Sequence, residues 1–215
     1  MNSLLSFVVR PAFALAAFLG ITAAAEAQTV IDEWASIKAP PPPALKPATV
    51  SDPKTTALLV MDVNSQTCTA QRRPRCANSL PRLQQLVADA HAKGMLVIYT
   101  LSGTTTAADI LKEIAPQSGD PVLPSFGPDK FMGNDLEKIL KDKGIKTVIA
   151  AGTAAHTSVL HSGSGAALRG YSVIVPIDVI SSDQAYQEQY TIVHLTTASR
   201  VLDKVTLTTT KMMRF

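Results

Sequence analysis

The chain has 215 residues, 46% of them hydrophobic and 17% charged, with a formal net charge of +3. That excess is small and spread along the chain. No basic cluster is dense enough to hold a phosphate backbone, so nucleic acid is excluded as a partner.

The first segment reads as an address. Arg10 is the only charged side chain before an apolar run from Pro11 to Ala25, which is shorter than the ~20 residues a membrane span needs. Ala25-Glu26-Ala27 has the small-x-small pattern of a signal cleavage site. A leader over residues 1–27 is therefore expected, with an uncleaved anchor as the alternative. Once it is removed, nothing in the reading holds the chain in a membrane, and the expected location is periplasmic or secreted. The remaining 188 residues (215 minus 27) carry 19 basic and 16 acidic side chains, still +3, and suit one domain with a sizeable core.

Residues 28–53 read as a proline-rich arm. Lys38-Ala-Pro-Pro-Pro-Pro-Ala-Leu-Lys-Pro47 must be extended, because proline fixes φ and removes backbone donors. Trp34 either pins this arm to the domain or sits on a loose spacer.

From residue 54 to 215 the pattern becomes regular. Thr56 to Met61 is a continuous apolar run ending at Asp62, as in a strand buried on both faces. A helix follows over 78–94, with Leu83, Leu86, Val87 and Ala90 as its apolar stripe, Ser79 as cap, Pro81 in its first turn and Gly94 as its stop. Met95–Thr100 is a second strand and Asp135–Lys143 a helix stopped by Gly144. Lys146–Ala151 is a third strand, Ser158–Arg169 a helix, Tyr171–Pro176 a fourth strand, Gln187–Asp203 a last helix and Lys204–Thr209 a final strand. This alternation predicts right-handed βαβ crossovers and a three-layer α/β/α sandwich with a mostly parallel sheet of Rossmann type.

Cys68 and Cys76 are separated by Thr69 to Arg75. A zinc site would need two more ligands nearby and a redox pair is more often Cys-x-x-Cys, so a structural disulfide is expected, in keeping with export.

In parallel sheets ligands bind at the carboxyl ends of the strands. Asp62, Thr100 to Gly103, Gly152 to Ser158 and Asp178 lie there. Asp62 is either a functional carboxylate at the mouth of the sheet or a turn cap. Gly152-Thr-Ala-Ala-His-Thr-Ser158 is a strand, a glycine and a turn that delivers a hydroxyl to a helix start, where backbone N–H groups stabilise negative charge. Ser158 is equally the residue type expected of a plain N-cap.

Several segments together resemble the isochorismatase-like (cysteine hydrolase) superfamily. They are Leu58-Leu-Val-Met-Asp-Val-Asn64, Phe131-x-x-Asn134-x-Leu136, Lys143 to Gly152, Ser158-Val159, Gly170-Tyr171-Ser-Val173 and Asp178, and they cover roughly residues 54–205. The resemblance implies an Asp, Lys and Cys triad in the amidase branch, with Asp62 on the aspartate and Ser158 on the cysteine. It also implies a cis peptide between Thr153 and Ala154, and an oxyanion hole from the N–H groups of Ala154 and Ser158. The family lysine would fall at Ser125. Lys130, directly before Phe131, either reaches the site from its loop or the position is lost. Asn64, Thr153, Ala154, His156 and His161 complete the candidate oxyanion- and substrate-binding residues. The metal-binding histidine motif of the nicotinamidase branch is replaced by Leu101-Ser-Gly-Thr-Thr-Thr106, so neither metal nor cofactor is expected.

A serine hydroxyl is far less acidic than a thiol and generally takes a histidine-like base, which His156 or His161 could supply. Asp62 could instead serve as general acid on a vinyl ether, as in the isochorismatase branch proper. A catalytically silent fold that binds a small molecule or a protein is the third reading. The expected activity is hydrolysis of a small amide-like or vinyl-ether substrate with Asp62 as acid/base and Ser158 at the nucleophile position. Relatives commonly self-associate, so a homo-oligomer is one expected arrangement.

Overall fold

Thr56–Met61 is buried at every position, as a run without alternation requires of a central strand. In the computed structural model, which describes residues 29–124 and 126–215, it forms strand β2. The leader expected over 1–27, and Ser125, lie outside the described residues. Residues 29–39 belong to a unit of their own that carries a short helix, α1 (Val30–Glu33), and exposed Trp34. The rest of the chain, from Pro40, is a second unit.

That unit is built on β2, β3 (Leu96–Thr100), β4 (Val122–Leu123), β5 (Thr147–Thr153), β6 (Ser172–Pro176), β7 (Ile180–Ser181) and β8 (Val205–Thr208). Their order is β4-β3-β2-β5-β6-β8, with β7 paired to β5, and every pairing is parallel. Side chains alternate across the sheet. Leu58 and Val60 pack with Leu83, Leu86, Val87 and Ala90 of helix α2 (Pro74–Ala92). Ala57, Leu59 and Met61 face Leu136 and Leu140 of α3 (Leu136–Asp142), Ala166 of α4 (Leu160–Leu168) and Leu195 of α5 (Ala185–Thr197). The sandwich has the three layers and the parallel sheet read from the sequence.

Three differences have physical causes. Helix α2 starts a turn earlier than expected: Pro74 occupies its first position, where a missing N–H costs nothing, and Ser79 is buried with Oγ donating to the Cys76 carbonyl at 2.8 Å. Helix α5 ends at Thr197, because Ala198 turns extended (ψ 127°) and Arg200 adopts φ +65°. The proline-rich arm ends in strand β1 (Ala48–Thr49), paired with the terminal β9 (Met213–Arg214). Ala48 and Val50 are buried there, joined to the core on the α2 side of the sheet. A two-residue strand has too short a period to show in a sequence.

Candidate active site

Asp62 follows β2 with φ +56°, a left-handed conformation that aspartate tolerates better than most residues. Its backbone N–H donates to the Thr100 carbonyl at 3.2 Å, which fixes the turn against β3. Next to it, β5 approaches through Gly152, at φ +122°. A Cβ on Gly152 would lie 2.2 Å from the Met61 carbonyl oxygen, so only glycine lets the two strand ends close. The carboxylate then points into the fold. Oδ1 accepts from Thr100 Oγ1 at 2.8 Å, and Oδ2 accepts from Ser158 Oγ at 2.7 Å.

Lys130 reaches the same oxygen. Its Nζ stands 2.7 Å from Asp62 Oδ2 and also donates to the Gly127 carbonyl at 3.2 Å. The surrounding motif holds the loop in place. Phe131 is buried, stacked on Tyr171 at 6.3 Å and covered by the Arg169 guanidinium at 4.4 Å. Asn134 Nδ2 donates to the Lys130 carbonyl while its Oδ1 accepts from Leu136 N–H at the start of α3. Lys130 N–H donates to Ser162 Oγ on α4, four residues after Ser158. Asp62, Lys130 and Ser158 are 5%, 2% and 4% exposed, so three polar side chains meet in a nearly water-free place.

Ser158 is not an ordinary helix cap. Residues Ala155–Val159 form a π turn that runs into α4, and the peptide between Thr153 and Ala154 is cis, as the resemblance implied. The π turn carries Ser158 on the side facing β2, where its hydroxyl meets Asp62.

The sequence profile describing the isochorismatase domain matches residues 56–208, a span that contains all three of these side chains. The chain belongs to the isochorismatase family. The secreted isochorismatase effector Isc1 of Verticillium dahliae is 24% identical over 147 residues, 62% of this chain and 76% of the effector. The N-carbamoylsarcosine amidase of an Arthrobacter species is 29% identical over 134 residues, half of this chain and 51% of the amidase. Among solved structures, an isochorismatase family protein from Desulfovibrio vulgaris superposes with a TM-score of 0.66 at 19% identity, covering 73% of this chain and 95% of that one. The N-carbamoylsarcosine amidase of Thermoplasma acidophilum superposes at 0.62 and 22% identity, over 73% and 96% of the two chains.

Within this isochorismatase domain the remaining candidates divide. Asn64 is buried, but its amide is spent on the turn after Asp62. Its Oδ1 accepts from Gln66 and Thr67 N–H, and its Nδ2 donates to Ser102 Oγ and the Asp62 carbonyl. It shapes the loop instead of pointing at a ligand. His156 pairs through Nδ1 with Ser182 Oγ at 2.9 Å, and His161 is exposed. The Ser–His pair weighed from the sequence does not form, because the Ser158 hydroxyl is turned to Asp62. Burial, then the nearby Arg73 guanidinium, hold the His156 pKa below its ordinary value. Cys68 and Cys76 are bonded, as read. Asp178 accepts from Thr210 N–H and Oγ1 and sits in the chain's outer packing.

Sequence reasoning missed Arg73. It is 7% exposed and donates in a fork to both oxygens of Asp183, Nε to Oδ1 at 3.0 Å and Nη2 to Oδ2 at 3.3 Å. Its third contact, from Nη1, goes to Thr153 Oγ1. Its place between the two cysteines was the available signal, since a bridged loop fixes whatever it carries.

Proposed function

We propose that this isochorismatase domain hydrolyses a small amide-like carbonyl compound, with Ser158 as nucleophile and Asp62 as its proton acceptor. One observation carries the reading: Ser158 Oγ and Lys130 Nζ both lie 2.7 Å from Asp62 Oδ2. The ammonium can only donate and Thr100 Oγ1 donates as well, so Asp62 accepts from every partner around it. That suits a base and speaks against Asp62 as the general acid a vinyl ether would need.

As Oγ attacks the carbonyl carbon, its proton passes to Asp62 Oδ2 and the carbonyl π pair moves to oxygen. The N–H groups of Ala154 and Ser158 are assigned to that oxyanion. Collapse expels the amine, which takes a proton from the Asp62–Lys130 pair, and leaves an ester on Ser158. Water, deprotonated by Asp62, then attacks the ester carbonyl, and the C–O bond to Ser158 breaks as Asp62 returns that proton to Ser158 Oγ, releasing the carboxylic acid. Lys130 holds the carboxylate in place and balances its charge in a site with little water. The names of the two amidases among the relatives support the amide class. The disulfide and the name of the secreted Verticillium relative support an exported protein.

The test compares wild type, Asp62→Asn and Ser158→Cys on a panel of small amides, ureides and enol ethers. Amide turnover that Asp62→Asn abolishes and Ser158→Cys raises supports the reading. No turnover in any folded variant, the thiol variant included, would turn the assignment to a small-molecule or protein-binding member of the family.

A further inference from the structure

We propose that Arg73 is a positioning residue for the Thr153–Ser158 turn, and that the Cys68–Cys76 disulfide holds it there. This rests on the reading of Ser158 as the reacting position.

The disulfide closes a short segment, residues 68–76, between the end of β2 and the first turn of α2. Cys68 N–H donates to the Asn64 carbonyl at 2.9 Å, so the segment begins on the same turn that presents Asp62. Inside it lie Arg72, Arg73 and Arg75. All three reach across to residues more than 100 positions later: Arg72 and Arg73 to Asp183, and Arg75 to Glu188. A buried guanidinium must satisfy its rigid fork of donors, and Arg73 does so by bridging Asp183 and Thr153 at once.

The residues it holds are the supports of the nucleophile turn. Thr153 Oγ1 accepts from Arg73 and donates to the Ser181 carbonyl at 3.1 Å. Ser182 Oγ accepts from His156 N–H at 3.4 Å and pairs with His156 Nδ1, while Ser182 N–H donates to Glu188 Oε1 at 2.9 Å. One bridged loop therefore grips the 181–188 segment through three arginines, and that segment holds the turn at Thr153 and at His156, on either side of the Ala154 amide assigned above to the oxyanion. The loop itself is mostly polar (Thr69, Gln71, Arg72) and buries few apolar atoms, so the covalent link supplies what packing does not.

The test reads the turn through a thiol at position 158. In Ser158→Cys protein the rate of alkylation by iodoacetamide is followed against pH, Cys68 and Cys76 being bonded to each other. Adding Arg73→Lys or Arg73→Gln is expected to move the midpoint upward and slow the reaction at neutral pH by about tenfold, since misaligned amides stabilise the thiolate less. Lysine keeps the charge and cannot bridge Asp183 and Thr153. A lysine variant that matches its parent while the glutamine variant does not would reduce Arg73 to a charge and overturn positioning, as would no change in either. Cys68→Ser with Cys76→Ser should give the same displacement, and an unchanged profile would overturn the disulfide's part. A second measurement leaves Ser158 in place. Arg73→Gln should speed amide hydrogen exchange over residues 153–159 about tenfold while exchange in α3 is unaltered; equal rates over 153–159 would also overturn the proposal. If the thiol of otherwise unaltered Ser158→Cys titrates at about 8.5, the ordinary thiol value, Ser158 as the reacting position fails, and the exchange rates still decide the clamp.

Discussion

Lys130 and Asp62 form an ion pair of 2.7 Å inside the domain, although Lys130 belongs to a loop and no strand end carries it. The pair depends on the loop's own fastening at Phe131, Asn134 and Ser162. Lys130→Met should leave a buried carboxylate without its countercharge and cost about 3–5 kcal/mol. Urea denaturation measures it. Combining the change with Asp62→Asn should recover a large part of the loss, and a double variant no better than Lys130→Met would contradict this account.

Gly152 sets how close β2 and β5 approach at the site. Gly152→Ala places a methyl against the Met61 backbone at a φ unsuited to other residues, and it should destabilise the domain by about 3 kcal/mol or more. Thermal unfolding of the variant checks the magnitude. A loss below about 1 kcal/mol would show that the strand ends give way easily.

The His156 imidazole, paired through Nδ1 with Ser182 Oγ, has a pKa held below its ordinary value by burial and then by the Arg73 guanidinium, which favours its neutral form. As pH falls, the unfolded chain takes up this proton first, near about 6.5. The stability tied to neutral His156 is complete above that value and is lost as pH drops from it towards the lower folded value. Stability curves at several pH values should show this slope in wild type and a flatter one in His156→Gln.

Asp183 behaves in the opposite range. The Arg73 guanidinium, bonded to it, holds its carboxyl below the usual carboxylate range. Stability from this pair is present above about 3.9, the ordinary value for aspartate, and disappears as pH falls through the lower folded value. Asp183→Asn should remove that acid-side component, visible as a smaller drop in stability on acidification below pH ~4.

Closing the loop between Cys68 and Cys76 restricts the unfolded chain by about 2.5 kcal/mol on the chain-entropy account. Denaturant midpoints of wild type and the Cys68→Ser, Cys76→Ser variant, compared at equal slope, give the value. Both sulfurs are buried, so reductant should act slowly on the native protein.

What could be read from the residues followed from how local each signal was. Strand β2 was legible to the residue because a fully buried strand needs an unbroken apolar run, and Asp62 stood out as the charge that ends it. Ser158 was legible through the glycine and turn before it. Lys130 could be named only as one of two alternatives, because a loop has no period and its reach to Asp62 is decided by contacts with α3 and α4. The Ser–His alternative also looked sound in one dimension. It failed because the π turn rotates Ser158 towards β2 and leaves His161 outside. Arg73 offered only its place between two cysteines as a signal, because its partners, Thr153 and Asp183, lie far along the chain.

Strand β1 pairs Ala48 with Met213 and Thr49 with Arg214, next to the final residue, Phe215. Among the described residues, the first strand in chain order thus waits for the last one. As the chain is made, this seam can close only once Met213 and Arg214 have been added. Loss of Met213 and Arg214 would unfasten Ala48 and Thr49 while leaving Asp62, Lys130 and Ser158 in place, so the hold on this stretch of the arm and the geometry of the candidate site are separable.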